Sequence, residues 1–287
     1  MEDKPFSEDI NFSIFASSPP HPTKPLTINF FGGLQVFENS RFINRAELKR
    51  NKIQALIALL ALNRGKEVSC EQVQKTLWYY SSPEKARNNF YTSWSLLRKA
   101  FTPAGQSECP YFLKNSQTCR MNIDLVHCDI FELEEISREL AFGSGKIPNA
   151  GSLYKKLSIF FDGEFLPGKD DYPFIRRYRK ESQEILTDSL VIAARRSLTT
   201  FEYASTLSFA RAALRYDKTR EDAYQLLFQA QAKTGHRSGA IETYHTCLSV
   251  LSSELGILPS QSLMHLYNDM IAEDFEGFAD TNTNENL

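Results

Sequence analysis

The sequence predicts a mixed fold, a small α+β domain at the N-terminal end followed by a larger all-α domain. Three observations lead there. Short runs of β-branched and aromatic residues, broken by turn residues, are confined to about residues 26–43 and 111–123. From 129 onward, apolar residues recur at three- and four-residue spacing almost without interruption. The charge is also divided: residues 41–101 hold twelve Lys or Arg against four Glu, a net +8, whereas the whole chain is −2, so the remainder sums to −10. A basic block beside an acidic one suggests a polyanion for one half and something else for the other.

At 287 residues with 42% apolar composition, the chain is long enough to build a core in each domain. No stretch reaches the roughly 18 to 20 apolar residues of a membrane span, and the N-terminus lacks a secretory signal, so a cytoplasmic protein without a membrane partner is expected. Cys70, Cys109, Cys119, Cys128 and Cys247 are scattered, with no CxxC pair. They are expected as reduced thiols, with no metal and no cofactor. His236, His245 and His265 fall in helical sequence and suggest no site. No acid, base and nucleophile constellation can be assembled, so no enzyme is expected.

Residues 1–25 hold five prolines and no periodicity, which predicts a disordered leader. LTINFF, Gly32-Gly33 and LQVF read as two strands around a turn, with a further strand near Phe42 and Ile43. From 48 to 62, Ile53, Leu56, Ile57 and Leu60 mark an amphipathic helix that stops at Asn63-Arg64-Gly65. Ser69 is placed to cap a second helix ending near Trp78. Pro83 suits the first turn of a third helix. There Phe90, Trp94, Leu97 and Phe101 form a buried stripe, and Arg87, Asn88, Tyr91, Thr92, Ser95, Arg98 and Lys99 lie opposite. Leu96 fits neither side. YFLK and CRMNI, flanking Asn115-Ser116-Gln117, form a hairpin without the usual glycine. Strands, three helices and a terminal hairpin are the order of a winged helix-turn-helix domain, placed at 26–126.

Beyond it, helices are expected at roughly 129–141, 150–161, 172–200, 203–216, 220–234, 238–254 and 260–272, with a disordered tail at 273–287. A shift of 36 residues matches Leu190 with Leu226, Ala194 with Ala230 and Ala204 with Ala240. Small residues at such positions let paired helices approach closely, which points to a tetratricopeptide-like helical repeat over 127–272.

Two blocks carry a family resemblance. LKRNKIQALIALLALNRGKEVSCEQVQKTLW with PEKARNNFYTSWSLLRKAF resembles the DNA-binding domain of SARP-type (Streptomyces antibiotic regulatory protein) activators. GEFLPG, DAYQLLFQAQAKTGHRSGAIETYHTCLSVLSSELGILPS and LYNDM resemble their bacterial transcriptional activator domain. The resemblance implies an OmpR-type winged helix that binds repeats in double-stranded promoter DNA and recruits RNA polymerase, as a homodimer or higher oligomer. No P-loop is present, because Gly65-Lys66 is followed by Glu67.

On this reading Arg87, Asn88, Tyr91, Thr92 and Ser95 lie near base edges, and Arg98 and Lys99 meet phosphates. Lys52, which matches a basic family position, binds a phosphate with Arg50, and Lys114 and Arg120 reach the minor groove or its phosphates from the wing. Two departures touch these contacts: positions 91 and 96, commonly arginine in the family, are Tyr and Leu, and Thr118-Cys119 replaces the usual Gly-Tyr of the wing. The alternative is a helical-repeat scaffold whose winged helix no longer binds DNA.

Overall fold

The structure of the protein, a computed structural model, describes residues 24–143, 147, 149–161 and 163–282, with side chains described to 272. The leader before Lys24 and residues 283–287 of the tail lie outside the described residues. The chain divides into two compact units, at Asp129 and Ile130.

In the first unit β1 (Leu26–Asn29), β2 (Gln35–Glu38) and β3 (Arg41–Phe42) form an antiparallel meander, with Leu26, Ile28 and Val36 buried. The β1–β2 reversal uses Gly32 and Gly33 at φ of 78° and 115°, a region costly for any residue with a Cβ. Three helices follow: α1 (Asn51–Leu62), α2 (Cys70–Leu77) and α3 (Pro83–Phe101). The segment expected to open α1 is instead a separate 3-10 turn, Ala46–Lys49, because Arg50 is extended and breaks the helical run. Gly65, at φ 72°, ends the α1 turn so closely against Ile123 that an added Cβ would lie 3.0 Å from its Cγ1. The Ser69 side chain caps α2 as expected, accepting from the Gln72 amide at 3.0 Å.

The wing is a three-stranded sheet in the order β4-β6-β5, built from β4 (Val68–Ser69), β5 (Phe112–Lys114) and β6 (Thr118–Met121). Its turn needs no glycine because the Asn115 carboxamide oxygen accepts from the amides of Gln117 and Thr118, at 2.9 and 2.6 Å. After the wing, β7 (Val126–Cys128) returns to pair parallel with β1, completing the order β3-β2-β1-β7. The Asp129 carboxylate then accepts from the amides of Phe30 and Phe31, at 2.7 and 3.0 Å.

The second unit is helical: α4 (Asp129–Phe142), α5 (Ala150–Ser158), α6 (Pro173–Thr199), α7 (Tyr203–Tyr216), α8 (Glu221–Lys233), α9 (Arg237–Leu255) and α10 (Gln261–Asn282). α6 packs on α7, α7 on α8 and α8 on α9, the nearest-neighbour stacking of a repeat. Leu190 with Leu226 and Ala194 with Ala230 are buried pairs, as the 36-residue shift requires. The third pair does not hold, since Ala204 is exposed and Ala240 is fully buried. Thr206 and Thr243, both buried, match α7 to α9 instead, a shift longer by one residue. Among the described residues no helix is long and apolar enough to cross a membrane.

Candidate nucleic-acid interface

α3 begins with Pro83 at its first position and runs to Phe101, the bounds its sequence predicts. Its inner stripe of Phe90, Trp94, Leu97 and Phe101 is at most 5% exposed. Phe90 meets the edge of Trp78 with ring centroids 6.5 Å apart, and Phe101 meets Phe112 of the wing at 4.9 Å. These contacts tie the helix to the end of α2 and to the hairpin, so its outer face is presented by a rigid body.

That outer face is polar and cationic. Arg87, Asn88, Tyr91, Thr92, Ser95, Arg98 and Lys99 are all exposed. The side chains of Arg87, Asn88, Ser95, Arg98 and Lys99 make no hydrogen bond or ion pair with the described residues, while Thr92 Oγ1 donates to the Asn88 carbonyl at 3.0 Å. The far end of the helix is closed by Arg45, whose Nη1 donates to the carbonyls of Lys99 and Ala100 at 3.1 and 2.8 Å. A cation at a helix C-terminus complements its dipole. Arg45 was not among the residues singled out from sequence, because it lies far from α3 in the chain.

The wing separates its two candidate cations. Phe112 pairs with Met121 and Lys114 with Cys119, so all four lie on one face, and Leu113 pairs with Arg120 on the other. Met121 and Cys119 are buried, which makes theirs the inner face. Lys114, at the strand end, therefore turns toward α3: its Nζ sits 5.1 Å from the Tyr91 ring centroid and donates to the Asn115 carbonyl at 2.9 Å. Arg120 is half-buried on the outer face, with no hydrogen bond or ion pair among the described residues. The two candidate cations of the wing thus lie on opposite faces of the hairpin.

Lys52 is also engaged. Its ammonium donates to the Leu77 carbonyl at 2.6 Å and lies 5.7 Å from the centroid of Trp78. It closes the C-terminus of α2 rather than projecting outward.

A thiol and a phenol beside the wing stay neutral. Burial, together with neighbouring Cys70, pushes the Cys119 thiol up to about 12. Burial and a hydrogen bond to Glu38 hold the Tyr111 hydroxyl at about 12. The charge of this surface is therefore set by lysine, arginine and glutamate.

Residues 128–270 match the family model described as the bacterial transcriptional activator domain. That segment of the chain carries this domain. The match agrees with the resemblance of the second sequence block. Among curated proteins, it is 22% identical over 234 residues to the transcriptional regulatory protein MoaR1 of Mycobacterium tuberculosis, covering 77% of this chain and 72% of that protein. The same protein of Mycobacterium bovis aligns equally, at 22% over 234 residues. Among solved structures, it resembles Mycobacterium tuberculosis EmbR in complex with a low affinity phosphopeptide, with a TM-score of 0.67 at 20% identity. That likeness covers 87% of this chain but spans only 66% of the solved one. It supports the fold, a winged helix followed by tetratricopeptide-like helices.

Proposed function

We propose that this bacterial transcriptional activator domain protein is a sequence-specific DNA-binding transcription regulator, an activator that binds promoter repeats and recruits RNA polymerase. The observation behind this is α3: a rigid helix on whose outer face the side chains of Arg87, Asn88, Ser95, Arg98 and Lys99 carry donors and cations that no group among the described residues takes up. A helix fits the major groove, where side-chain donors and acceptors distinguish all four base pairs. On this reading Arg87, Asn88, Tyr91, Thr92 and Ser95 face base edges, Arg98 and Lys99 meet phosphates, and Arg120 serves the wing. Lys52 and Lys114 act by holding α2 and the wing in place. Tyr80, 90% exposed in the loop before α3, offers aromatic surface to polymerase. The helical unit supports self-association on DNA.

Chromatin immunoprecipitation with sequencing tests the reading, with an Arg87→Ala/Arg98→Ala variant as control. Discrete promoter peaks that vanish in the variant are expected. Peaks that survive the double change would move the contact surface elsewhere, and an absence of peaks would favour a scaffold.

A further inference from the structure

We infer that the acidic leader, residues 1–23, lies along the cationic outer face of α3 when no duplex is bound, so that the chain carries its own competitor for that surface. The contact is argued without reference to DNA, and only its regulatory consequence rests on the DNA-binding reading.

The two surfaces are complementary in charge. Residues 1–23 hold Glu2, Asp3, Glu8 and Asp9 against Lys4, a net −3. The outer side of α3 holds Lys85, Arg87, Arg98 and Lys99 against Glu84, a net +3, all exposed and none in an ion pair among the described residues. Several exposed cations of the second unit, Arg177, Lys180 and Lys218 among them, already have carboxylate partners. Apolar content matches as well. Phe6, Ile10, Phe12, Ile14 and Phe15 are interleaved with polar residues in the leader. Tyr91, 46% exposed on the outer face of α3, offers them an aromatic surface.

The point where the chain enters the first unit brings the leader to this face. The Lys24 ammonium donates to the Ile123 carbonyl at 2.6 Å. Ile123 follows β6, whose Met121 pairs with Phe112, and the Phe112 ring meets Phe101 at 4.9 Å. Pro25 lines a pocket of about 510 Å³ together with Pro103 and Ala104, which closely follow α3. Residue 24 is thus fixed beside the C-terminal end of α3. The 15 residues from there back to Asp9 span up to about 50 Å. The face from Lys99 back to Lys85 is about 21 Å long, so every cation on it lies within reach.

A segment tethered so close meets its target at an effective concentration on the order of mM. Ion pairs too weak to hold a free peptide then suffice, and they loosen as salt rises. Apparent affinity for duplex falls in proportion to the fraction of molecules whose α3 face is free.

Carbodiimide coupling of the full chain, which joins a carboxylate to a lysine amine in direct contact, tests the contact without DNA. Peptide mass spectrometry is expected to find Glu8 or Asp9 joined to Lys85 or Lys99 within one chain at low salt, and not at about 500 mM potassium chloride. Coupling confined to lysines of the second unit such as Lys155 and Lys156, coupling only between two copies, or no coupling from the leader would each overturn the inference. Anisotropy of a fluorescein-labelled duplex tests the competition. Glu2→Gln, Asp3→Asn, Glu8→Gln and Asp9→Asn together are expected to raise affinity about three- to tenfold at about 50 mM potassium chloride and less than about twofold at 200 mM. Glu135→Gln, Glu139→Gln, Glu242→Gln and Asp269→Asn, the same charge change on exposed acids of the second unit, should leave affinity near wild type. An equal gain from both sets assigns the effect to net charge and removes the competitor. If wild type and the neutralised leader variant both fail to bind duplex at the lowest salt, the DNA-binding reading falls and the competitor role with it, while the coupling pattern still decides the contact.

Discussion

Two helices of this chain begin alike and end up doing different things with their cations. α3 and α6 each open with proline in the first turn and no side-chain cap. In α6, Arg179 is 11% exposed; its Nε donates to the Phe165 carbonyl at 2.7 Å, and its other nitrogens reach Leu166, Asp170 and, at 3.3 Å, Glu164. Arg177 and Lys180 pair along the same helix with Glu181 and Glu184. In α3, Arg87, Arg98 and Lys99 have no such partners among the described residues. Buried guanidinium donors must be satisfied from within, so Arg179 is spent on holding the 163–171 loop to α6. Donors left over in water are available to a partner outside. Composition alone does not separate the two cases, because both helices are rich in Arg and Lys.

The largest effect should come from removing Arg179. Arg179→Ala strips hydrogen-bond donors from the buried carbonyls of Phe165 and Leu166, and should cost about 2–3 kcal/mol in chemical denaturation. Duplex affinity of the folded fraction should be unchanged; a loss of DNA binding with stability intact would reverse the roles of the two helices. Arg87→Ala should do the opposite, lowering specific affinity by about 1–3 kcal/mol and shifting stability by less than about 0.5 kcal/mol. A comparable fall in stability would place Arg87 among the structural cations. The smallest effect belongs to Lys114. A double-mutant cycle of Lys114→Gln with Tyr91→Leu should give a coupling of about 0.5–1 kcal/mol in stability. Arg120→Gln should lower the salt slope more than Lys114→Gln does, and equal slopes would return both residues to DNA contact.

The bounds of α3 were legible because local signals agreed: proline at the start, an apolar stripe at helical spacing, and Thr102-Pro103 after the end. β7 was not. It is only three residues long, and it exists through a parallel pairing with β1, about a hundred residues earlier in the chain. Side-chain direction was the other loss. Lys52 and Lys114 are recognisable as cations of α1 and the wing, but their partners within the unit, the Leu77 carbonyl and the Tyr91 ring, depend on register and tertiary packing. Leu96, which fitted neither face in sequence, is half-buried where α3 meets the start of α1. The groove it lines was invisible to periodicity because Arg50, Asn89 and Ser93 come together only after folding. The unequal repeat in the second unit required knowing which threonines are buried.

Site-specific photocrosslinking tests the division between the two helices most directly. A benzophenone side chain replaces Asn88 on α3 in one protein and Arg177 on α6 in another, and each is irradiated with labelled duplex under conditions where both bind it. The account predicts a DNA adduct from position 88 and none from 177. An adduct from 177 with none from 88 would contradict it.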